Sequence, residues 1–397
     1  MIFKNEKNDA VIVAARRSAN AKFMGAFADM KAPELLGRVI KAALDEVQVN
    51  ANEVDETIAG CVVPAGIGQN PARQAILKAG ACEEHGAAVT VNKVCGSGMY
   101  SVVAAARAIK CGDARIAVAG GMEIMSQNPH YMYLRKENKM GPATVLDGML
   151  TDGLLDFRSG EAMGNFAEKI GVKYGVSRED QDKFAVASYE KALKAVAAGK
   201  FKREIVPVEL ATRKGTVVVD KDEIPAETTY DVAAKARPAF KKDGTVTAIN
   251  ASKLSDGAAC VILMSREEAE KRGLKPLATI RAYSYDDVLI DELLVSPIKS
   301  IPAVLKKAGV DIKDVDFFEI NEAFSVSSAA INKTLGLPDE KVNVYGGAVA
   351  LGHPVGVSGS RILATLISAL IQEDKKIGVA SLCIGGGEGI AMLITRD

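Results

Sequence analysis

The stretch Val89-Thr-Val-Asn-Lys-Val-Cys-Gly-Ser-Gly-Met99 joins a short apolar run to a glycine-rich turn. Residues 101–109 are rich in alanine, and residues 115–121 form a second apolar run that ends in two glycines. Short apolar strands that alternate with helices are typical of α/β units. The stretch therefore predicts an α/β fold with a buried, mostly parallel sheet, in which Cys95 lies between a strand and a helix.

The pattern occurs twice in the chain. One spacing of apolar residues and an aspartate is found in both halves, as Leu44, Val49, Val54 and Asp55 and again as Leu305, Val310, Val315 and Asp316. In the second half, 342–345 predicts a strand, 346–359 a long glycine-rich turn, 360–370 a helix and 377–384 a further strand. We interpret this as a duplicated α/β unit. A chance likeness between two generic α/β segments is the alternative.

Residues 125–254 differ in texture, with more Lys, Glu, Tyr, Met and turn residues. Ser177 and Asp180 have the spacing that caps a helix at its start. We expect an inserted domain that serves as a ligand-binding lid, although a purely decorative or oligomer-forming role is the alternative. The expected division is 1–124 with 255–276 for the first half, 125–254 for the insertion and 277–397 for the second half.

Composition excludes several classes of protein. The 397 residues include 50 basic and 50 acidic ones, so the net charge is zero. The charge therefore does not indicate nucleic acid or a membrane surface as a partner. No apolar run approaches the roughly 18 residues that a membrane helix needs, and we expect a cytoplasmic protein. The six cysteines show no metal-ligand spacing, and most are expected to be free and buried. A dinucleotide-binding G-x-G-x-x-G after a strand and a P-loop are both missing from the sequence.

Three residues have the chemistry of a thiol-based site. The positive end of the predicted helix is expected to lower the pKa of Cys95 below its usual value of about 8.5. His353 lies in the long glycine-rich turn of the second half, and the repeat would bring that turn against the Cys95 turn. A Cys/His pair is a common way to activate a thiol, and Cys383 after another apolar strand offers a second acid or base. Asn321 ends a further strand and is expected to hold a water or an oxyanion. A buried structural role for Cys95 is the alternative.

Four segments resemble the active-site signatures of thiolases, in the order found in that family. They are Val91-Asn-Lys-Val-Cys-Gly-Ser-Gly98, Asn321-Glu-Ala-Phe324, Gly346-Gly-Ala-Val-Ala-Leu-Gly-His-Pro-Val-Gly356 and Cys383-Ile-Gly-Gly-Gly387. The resemblance covers essentially the whole chain, and acetoacetyl-CoA thiolases are the nearest branch. It implies a duplicated five-layer α/β/α/β/α fold with an inserted loop domain, and a homotetramer or homodimer.

The resemblance also implies roles for individual residues. Cys95 matches the acylated nucleophile, His353 its activator and Cys383 the base that deprotonates acetyl-CoA. His353 and a water on Asn321 would form one oxyanion hole, and the N–H groups of Cys95 and Gly385 the other. Ser252 matches a contact to the pantetheine arm of CoA. Around the acyl pocket we expect the large side chains of Met163, Phe324 and 293–295, with Tyr283 and Tyr285 a little upstream in the sequence.

The implied reaction interconverts two acetyl-CoA with acetoacetyl-CoA and CoA by ping-pong catalysis through acetyl-Cys95. CoA thioesters are then substrates, and no cofactor or metal is expected. The chain departs from relatives at Ala162, Ala226, 289–296 and Glu388, which bears on acyl-chain specificity and CoA affinity.

Other functions are compatible with these residues to different degrees. A broad-specificity degradative 3-ketoacyl-CoA thiolase is the main alternative. A β-ketoacyl synthase would want a histidine in place of Asn321 and would lack Cys383. A non-catalytic protein that binds acyl-CoA or lipid needs none of Cys95, His353 and Cys383.

Overall fold

The computed structural model describes residues 3–135, 140–213 and 215–397. The strands are β1 (Ala10–Arg17), β2 (Ala21–Lys22), β3 (Glu56–Gly60), β4 (Ala88–Val91), β5 (Ile116–Ile124), β6 (His130–Tyr131), β7 (Leu146–Asp147), β8 (Val208–Thr212), β9 (Gly215–Val219), β10 (Ser255–Ser265), β11 (Ala278–Asp287), β12 (Phe317–Ile320), β13 (Ile377–Ile384) and β14 (Glu388–Thr395). The helices are α1 (Ala32–Glu46), α2 (Pro71–Lys78), α3 (Ser97–Cys111), α4 (Met163–Tyr174), α5 (Arg178–Ala197), α6 (Tyr230–Ala234), α7 (Arg266–Lys271), α8 (Pro297–Ala308), α9 (Ser325–Leu335), α10 (Ala348–Leu351) and α11 (Ser358–Gln372).

The main sheet runs in the order β12-β13-β14-β11-β1-β10-β5-β3-β4. Its two halves meet where Val11 and Ile12 of β1 pair with Thr279 and Ala278 of β11. Helices α1 and α2 cover one face of the first half, and α8 covers one face of the second half. Helices α3 and α11 contact each other between the halves. The duplicated, layered α/β fold expected from the sequence is confirmed.

The expectation of a mostly parallel sheet is wrong, because the sheet is mixed. Strand β3 pairs in parallel with both β4 and β5, and β12 pairs in parallel with β13. The pairs β1–β10, β5–β10, β11–β14 and β13–β14 are antiparallel. Each half therefore combines a parallel crossover part with an antiparallel pair, as at the tight turn that joins β13 to β14.

Equivalent residues of the two halves make the same hydrogen bonds. The Asp55 carboxylate accepts from the backbone N–H groups of Arg115 and Ile116, at 2.7 and 3.0 Å. The Asp316 carboxylate accepts from Lys376 and Ile377, both at 2.9 Å. Helices α3 and α11 are both 15 residues long and both begin with Ser-Gly. The repeat detected in the sequence is therefore a repeat of structure.

The strand predicted over 342–345 is wrong. Only Val342 pairs, in a single bridge to Phe318. The next residue, Asn343, has a left-handed φ of 45° and is buried. Its side chain accepts from the N–H of Ile320 at 2.8 Å and donates to the carbonyl of the same residue at 2.9 Å. An amide side chain thus takes the place of the neighbouring strand, and the backbone turns away.

The chain leaves and re-enters the sheet of the first half at one place. Asp256 of β10 lies opposite Ile124 of β5, so residues 125–254 form an excursion from two adjacent strands. We propose on this basis that they form the inserted domain. Within it, α5 begins as predicted, since Ser177 caps the helix and Asp180 completes the capping box. Among the described residues, no helix is long and apolar enough to cross a membrane.

Candidate active site

Cys95 lies in a tight, strained connection between β4 and α3. The preceding residue, Val94, has a φ of 46°, a conformation that β-branched side chains rarely adopt. Two side chains hold the turn: Asn92 Oδ1 accepts from the N–H of Val94 at 2.9 Å, and Ser97 Oγ donates to the Val94 carbonyl at 2.7 Å. Such strain persists only where the surroundings determine the conformation, and it is common at functional sites.

Burial controls the Cys95 thiol. Desolvation raises the pKa of Cys95 to about 11, although the backbone N–H groups of Gly385 and of Cys95 itself favour the thiolate. The lowered pKa expected from the helix terminus is therefore wrong for the free protein. The same contacts place the N–H groups of Gly385 and Cys95 beside the Cys95 sulfur. Two such donors are the usual components of an oxyanion hole.

Cys383 lies close enough to Cys95 for the charges of the two thiols to interact. Burial raises the pKa of Cys383 well above its usual value, and a charge on Cys95 would raise it further. Cys383 is at the end of β13, and the turn that follows contains Gly386 and Gly387 at positive φ values of 94° and 98°. This turn aims Gly385 back at Cys95. The structure therefore brings Cys95 of the first half together with Cys383 and Gly385 of the second half.

His353 is buried in the long turn before α11, and its protonation can be assigned from its neighbours. Its Nδ1 lies 2.5 Å from Ser358 Oγ, and the Ser358 hydroxyl donates to the Pro354 carbonyl at 3.0 Å. Because a serine has one proton to donate, Ser358 accepts from Nδ1–H. Desolvation lowers the pKa of His353 to about 3, so the ring is neutral. Its Nε2 is then a free base, with no partner in the described part of the chain.

The two turns approach closely through glycines. A Cβ on Gly98 would lie 2.9 Å from the backbone N of Ser360, and one on Gly359 would lie 2.3 Å from the backbone N of Met99. Only glycine fits at these points, so the first turns of α3 and α11 pack against each other. Val355, next to the His353 segment, lies in the apolar cluster against which Cys95 packs. The Cys95 and His353 turns therefore face each other.

Asn321 is 3% exposed, and neither polar atom of its side chain has a partner among the described residues. Buried amides are rarely left in this state, so the amide is available to a water or a substrate oxygen. Ser252 lies beside the same segment, since its N–H donates to the Ala323 carbonyl at 3.0 Å. The N–H of His353 donates to the Lys253 carbonyl at 3.0 Å. The segments of Ser252, Asn321 and His353 are thus joined.

An apolar wall borders Cys383. Phe324, Cys383 and residues 293–295 are buried in one cluster, and Met163 packs against it. Phe240 stacks edge-on against Phe324 at 6.1 Å between ring centroids. Tyr283 and Tyr285, a little upstream of residues 293–295 in the sequence, contact Arg107 of α3. The large apolar side chains of the cluster that contains Cys383 therefore include Met163, Phe324 and residues 293–295, with Phe240 against Phe324.

Glu388, a departure from many relatives, has a local explanation. Its carboxylate forms an ion pair with Lys93, two residues before Cys95. The pair joins the turn of one half to β14 of the other half, so the added charge is neutralised. Ala162 is the N-cap residue of α4, a position that needs no particular side chain here.

Sequence reasoning missed two residues that shape the site. Ser358, which fixes the proton of His353, has no signal beyond its place at the start of a helix. Glu123 is buried, and its carboxylate accepts from the backbone N–H groups of Val62 at 2.8 Å, Val63 at 3.1 Å and Gly356 at 3.0 Å. It thereby joins the loop after β3 to the His353 turn. Three N–H donors from two distant segments cannot be inferred from a sequence.

The remaining cysteines and acidic residues show no sign of a metal site. All six cysteines are free in the described chain; Cys61, Cys260 and Cys383 are buried, Cys95 is partly buried, and Cys82 and Cys111 are exposed. The expectation that most of the cysteines are buried is wrong, because only three of the six are buried in the described chain. Within the described residues, no cluster of His, Cys, Asp and Glu has the geometry of a metal site.

Comparison with known proteins covers both halves. Residues 10–267 match the family model "Thiolase, N-terminal domain", and residues 274–396 match "Thiolase, C-terminal domain". The acetyl-CoA acetyltransferase of Pseudomonas aeruginosa is 47% identical over 392 residues, covering 98% of this chain and 100% of that protein. A probable acetyl-CoA acyltransferase of Staphylococcus epidermidis is 46% identical, covering 97% and 98%. The crystal structure of the Bacillus anthracis acetyl-CoA acetyltransferase superposes with a TM-score of 0.96 at 39% identity, covering 99% and 100%.

Proposed function

Because this chain belongs to the thiolase family, we propose that it is an acetyl-CoA C-acetyltransferase, which interconverts two acetyl-CoA with acetoacetyl-CoA and CoA. The observation that carries the proposal is the meeting of two thiols, Cys95 and Cys383, with two N–H donors at Cys95. A neutral histidine with a free Nε2 lies on the facing turn. Binding alone requires none of these groups. Relatives of nearly equal length named acetyl-CoA acetyltransferase support the same substrates.

In the first half-reaction, His353 Nε2 takes the Cys95 proton as the sulfur attacks the thioester carbon of acetyl-CoA. The raised pKa of Cys95 and the lowered pKa of His353 keep this pair uncharged until substrate is present. Negative charge then develops on the thioester oxygen, where the N–H groups of Cys95 and Gly385 stabilise it. The C–S bond to CoA breaks, and the CoA thiolate takes the Cys383 proton. The products are acetyl-Cys95, free CoA, a Cys383 thiolate and a protonated His353.

In the second half-reaction, the Cys383 thiolate removes a methyl proton from a second acetyl-CoA. The resulting enolate oxygen accepts hydrogen bonds from His353 Nε2–H and from a water held by Asn321, whose amide has no partner among the described residues. The methylene carbon attacks acetyl-Cys95, acetoacetyl-CoA forms, and the Cys95 thiolate regains its proton from His353. Protons and charges are restored after each cycle, as ping-pong catalysis requires.

The substrate site follows from the same residues. Ser252 lies beside the Asn321 segment, and we assign it to the pantetheine arm of CoA. Met163 and Phe324 border Cys383 and would limit the acyl chain. The reaction as written uses side chains, backbone groups, a water and CoA thioesters, and we propose that no cofactor or metal takes part.

Mass spectrometry after incubation with acetyl-CoA tests the proposal. A thiolase gains one acetyl group on Cys95, and added CoA removes it. A protein that only binds acyl-CoA gains no covalent mass. A β-ketoacyl synthase would be acylated but would not return acetyl-CoA when CoA is added to it with acetoacetyl-CoA.

Acyl-chain length separates this function from that of a broad-specificity degradative thiolase. The Staphylococcus epidermidis relative is named a probable acetyl-CoA acyltransferase rather than an acetyltransferase, which is a reason to test the chain length that this protein accepts. One methylene in an apolar pocket changes selectivity by only about 1–3 kcal/mol. We expect kcat/KM for thiolysis to be highest with the C4 3-ketoacyl-CoA and to fall for chains longer than about six carbons, because Met163 and Phe324 fill the space. Equal or rising values from C4 through C6 to C8 would assign the chain to the degradative class.

Assembly and location are further proposals. β4 ends the sheet order, so one of its edges has no strand beside it in the described chain. Val89 on β4 is exposed, as are Tyr133 and Leu134 near β6. Unpaired strand edges and apolar surface of this kind favour association, and we propose a homotetramer or homodimer in the cytoplasm. Light scattering on the purified protein distinguishes dimer, tetramer and monomer.

A further inference from the structure

Lys253 holds a mostly buried ammonium group beside the proposed site. Its Nζ donates to three backbone carbonyls, those of Ala251 at 2.7 Å and of Ile249 and Val349 at 3.3 Å each. It also lies 5.5 Å from the centroid of the Tyr189 ring, over its face. A lysine ammonium has three protons to donate, and these three carbonyls can take all of them. No donor is left for substrate, which excludes direct binding of CoA phosphate.

The charge of Lys253 is held without an ion pair. No carboxylate of the described residues lies within ion-pair distance of Nζ, and Glu322 acts only through its field. Burial lowers the pKa of Lys253 to about 8, so the group remains largely charged at neutral pH. Burying a charge among carbonyls costs free energy that an apolar side chain would not. A residue kept at this cost is better explained by positioning than by stability.

The carbonyls come from two segments of the site. Ile249 and Ala251 precede Ser252, whereas Val349 belongs to α10 in the His353 turn. The backbone of Lys253 adds a third link, since its carbonyl accepts from the N–H of His353 at 3.0 Å. The ammonium therefore fixes the distance between the Ser252 and His353 segments.

We propose that Lys253 is a positioning residue, whose ammonium acts as a built-in cation that holds the Ser252 and His353 segments together for catalysis. The inference rests on the proposed thiolase function. It predicts that the carbonyl cage needs a cation rather than a lysine as such. Loss of the charge displaces His353 Nε2 and the Ser252 contact, and misplacement of about 1 Å can reduce the rate by about 100-fold.

Two variants test the cage. Lys253→Ala empties it and leaves room for a small cation, whereas Lys253→Met fills most of the same space with an uncharged chain. We expect both to lower kcat/KM for acetoacetyl-CoA thiolysis by about 100-fold. Ammonium chloride should restore Lys253→Ala at least several-fold and should not restore Lys253→Met or change the wild type. Tetramethylammonium chloride, which is too large for the cage, should restore neither. Lys41→Ala, at an exposed lysine of α1, is the control and should match the wild type.

Several results would overturn the proposal. Lys253→Ala within about threefold of wild type without ammonium would show that the charge positions nothing. Equal recovery of both variants, or recovery by tetramethylammonium, would show an effect of salt alone. If Lys253→Ala folds poorly, its melting temperature is the second readout: ammonium should raise it for Lys253→Ala and not for Lys253→Met. That melting test holds even if the wild type lacks thiolase activity, a result that would overturn the proposed function alone.

Discussion

The two turns of the site lead into equivalent helices but differ in length and chemistry. Residues 92–96 connect β4 to α3 and present a thiol, whereas residues 343–357 lead to α11, include the short helix α10 and present an imidazole. The bonds of Asp55 and Asp316 that frame the two halves are the same. The two halves therefore share these framing hydrogen bonds. The residues proposed for catalysis lie in the two turns, which differ between the halves. In the proposed mechanism, one turn supplies the nucleophile and the other turn supplies its base.

The largest expected effect is that of Cys95→Ser, which removes the thiol that the first turn presents. A serine hydroxyl is a poor nucleophile toward a thioester when its base is a histidine of such low pKa. We expect kcat for thiolysis to fall by about 10³-fold or more. Steady-state assays measure it, with Cys111→Ser at the other end of α3 as the control. More than a few per cent of wild-type activity in Cys95→Ser would remove Cys95 as nucleophile.

Cys383→Ser should separate the two half-reactions. The acetyl-enzyme should still form, because His353 and the N–H donors at Cys95 are intact and a thiolate leaves without help from an acid. Condensation should fall by about 10²–10⁴-fold, the usual contribution of a general base. Rapid-quench labelling with radioactive acetyl-CoA follows the first step, and acetoacetyl-CoA formation follows the second. Loss of labelling along with condensation would show that release of CoA requires the Cys383 proton, or that the fold requires Cys383.

The frame itself is tested by Asp55→Ala and Asp316→Ala. Each change leaves two backbone N–H groups at a strand end without an acceptor, which costs about 1–3 kcal/mol where the groups are buried. We expect urea unfolding to give losses that agree within about 0.5 kcal/mol, the spread of single hydrogen-bond contributions in mutational series, because the two carboxylates make the same hydrogen bonds. Activity per folded molecule should not change. A large loss in one half and none in the other would mean that the two frames are not energetically equivalent.

Much of the fold and site could be predicted because local rules agree with the tertiary structure. The strand-turn-helix at Cys95, the cap of α5 at Ser177 and the spacing repeated at Asp55 and Asp316 are local patterns with direct structural meaning. The assignment of Cys95, His353, Cys383 and Asn321 to one site came from the repeat, from their chemistry and from the resemblance, and their roles are proposals. Their proximity depends on how two halves pack, which spacing alone does not encode.

The sequence did not reveal other features, because they depend on burial and on single side chains. The Cys95 pKa was expected to fall, but desolvation outweighs the two N–H donors. A strand was expected at 342–345, but the amide of Asn343 replaces it. Ser358, Glu123 and Lys253 act through partners that are distant in sequence or ordinary in type. Tertiary environment decides in each case, and no local pattern reports it.

The smallest expected effect concerns a conformation that both turns share. Val94 and Asn343 have nearly the same left-handed φ, 46° and 45°. Asn343 is suited to it and makes buried bonds to Ile320 and Glu322, whereas Val94 is strained and makes no side-chain bond. For Asn343→Gly we therefore expect a loss of about 1–3 kcal/mol, since buried groups lose their partners.

For Val94→Gly we expect a change in unfolding free energy of less than about 1 kcal/mol, because the relief of about 1–3 kcal/mol of strain offsets the lost packing and the greater freedom of the unfolded chain. Its kcat should fall several-fold, since a glycine no longer holds the Cys95 sulfur between the N–H donors. Urea unfolding and steady-state thiolysis on both variants measure these quantities. If Val94→Gly is as destabilising as Asn343→Gly, or raises kcat, then the strain at Val94 does not serve to position the thiol, and the two turns differ only in the side chains they present.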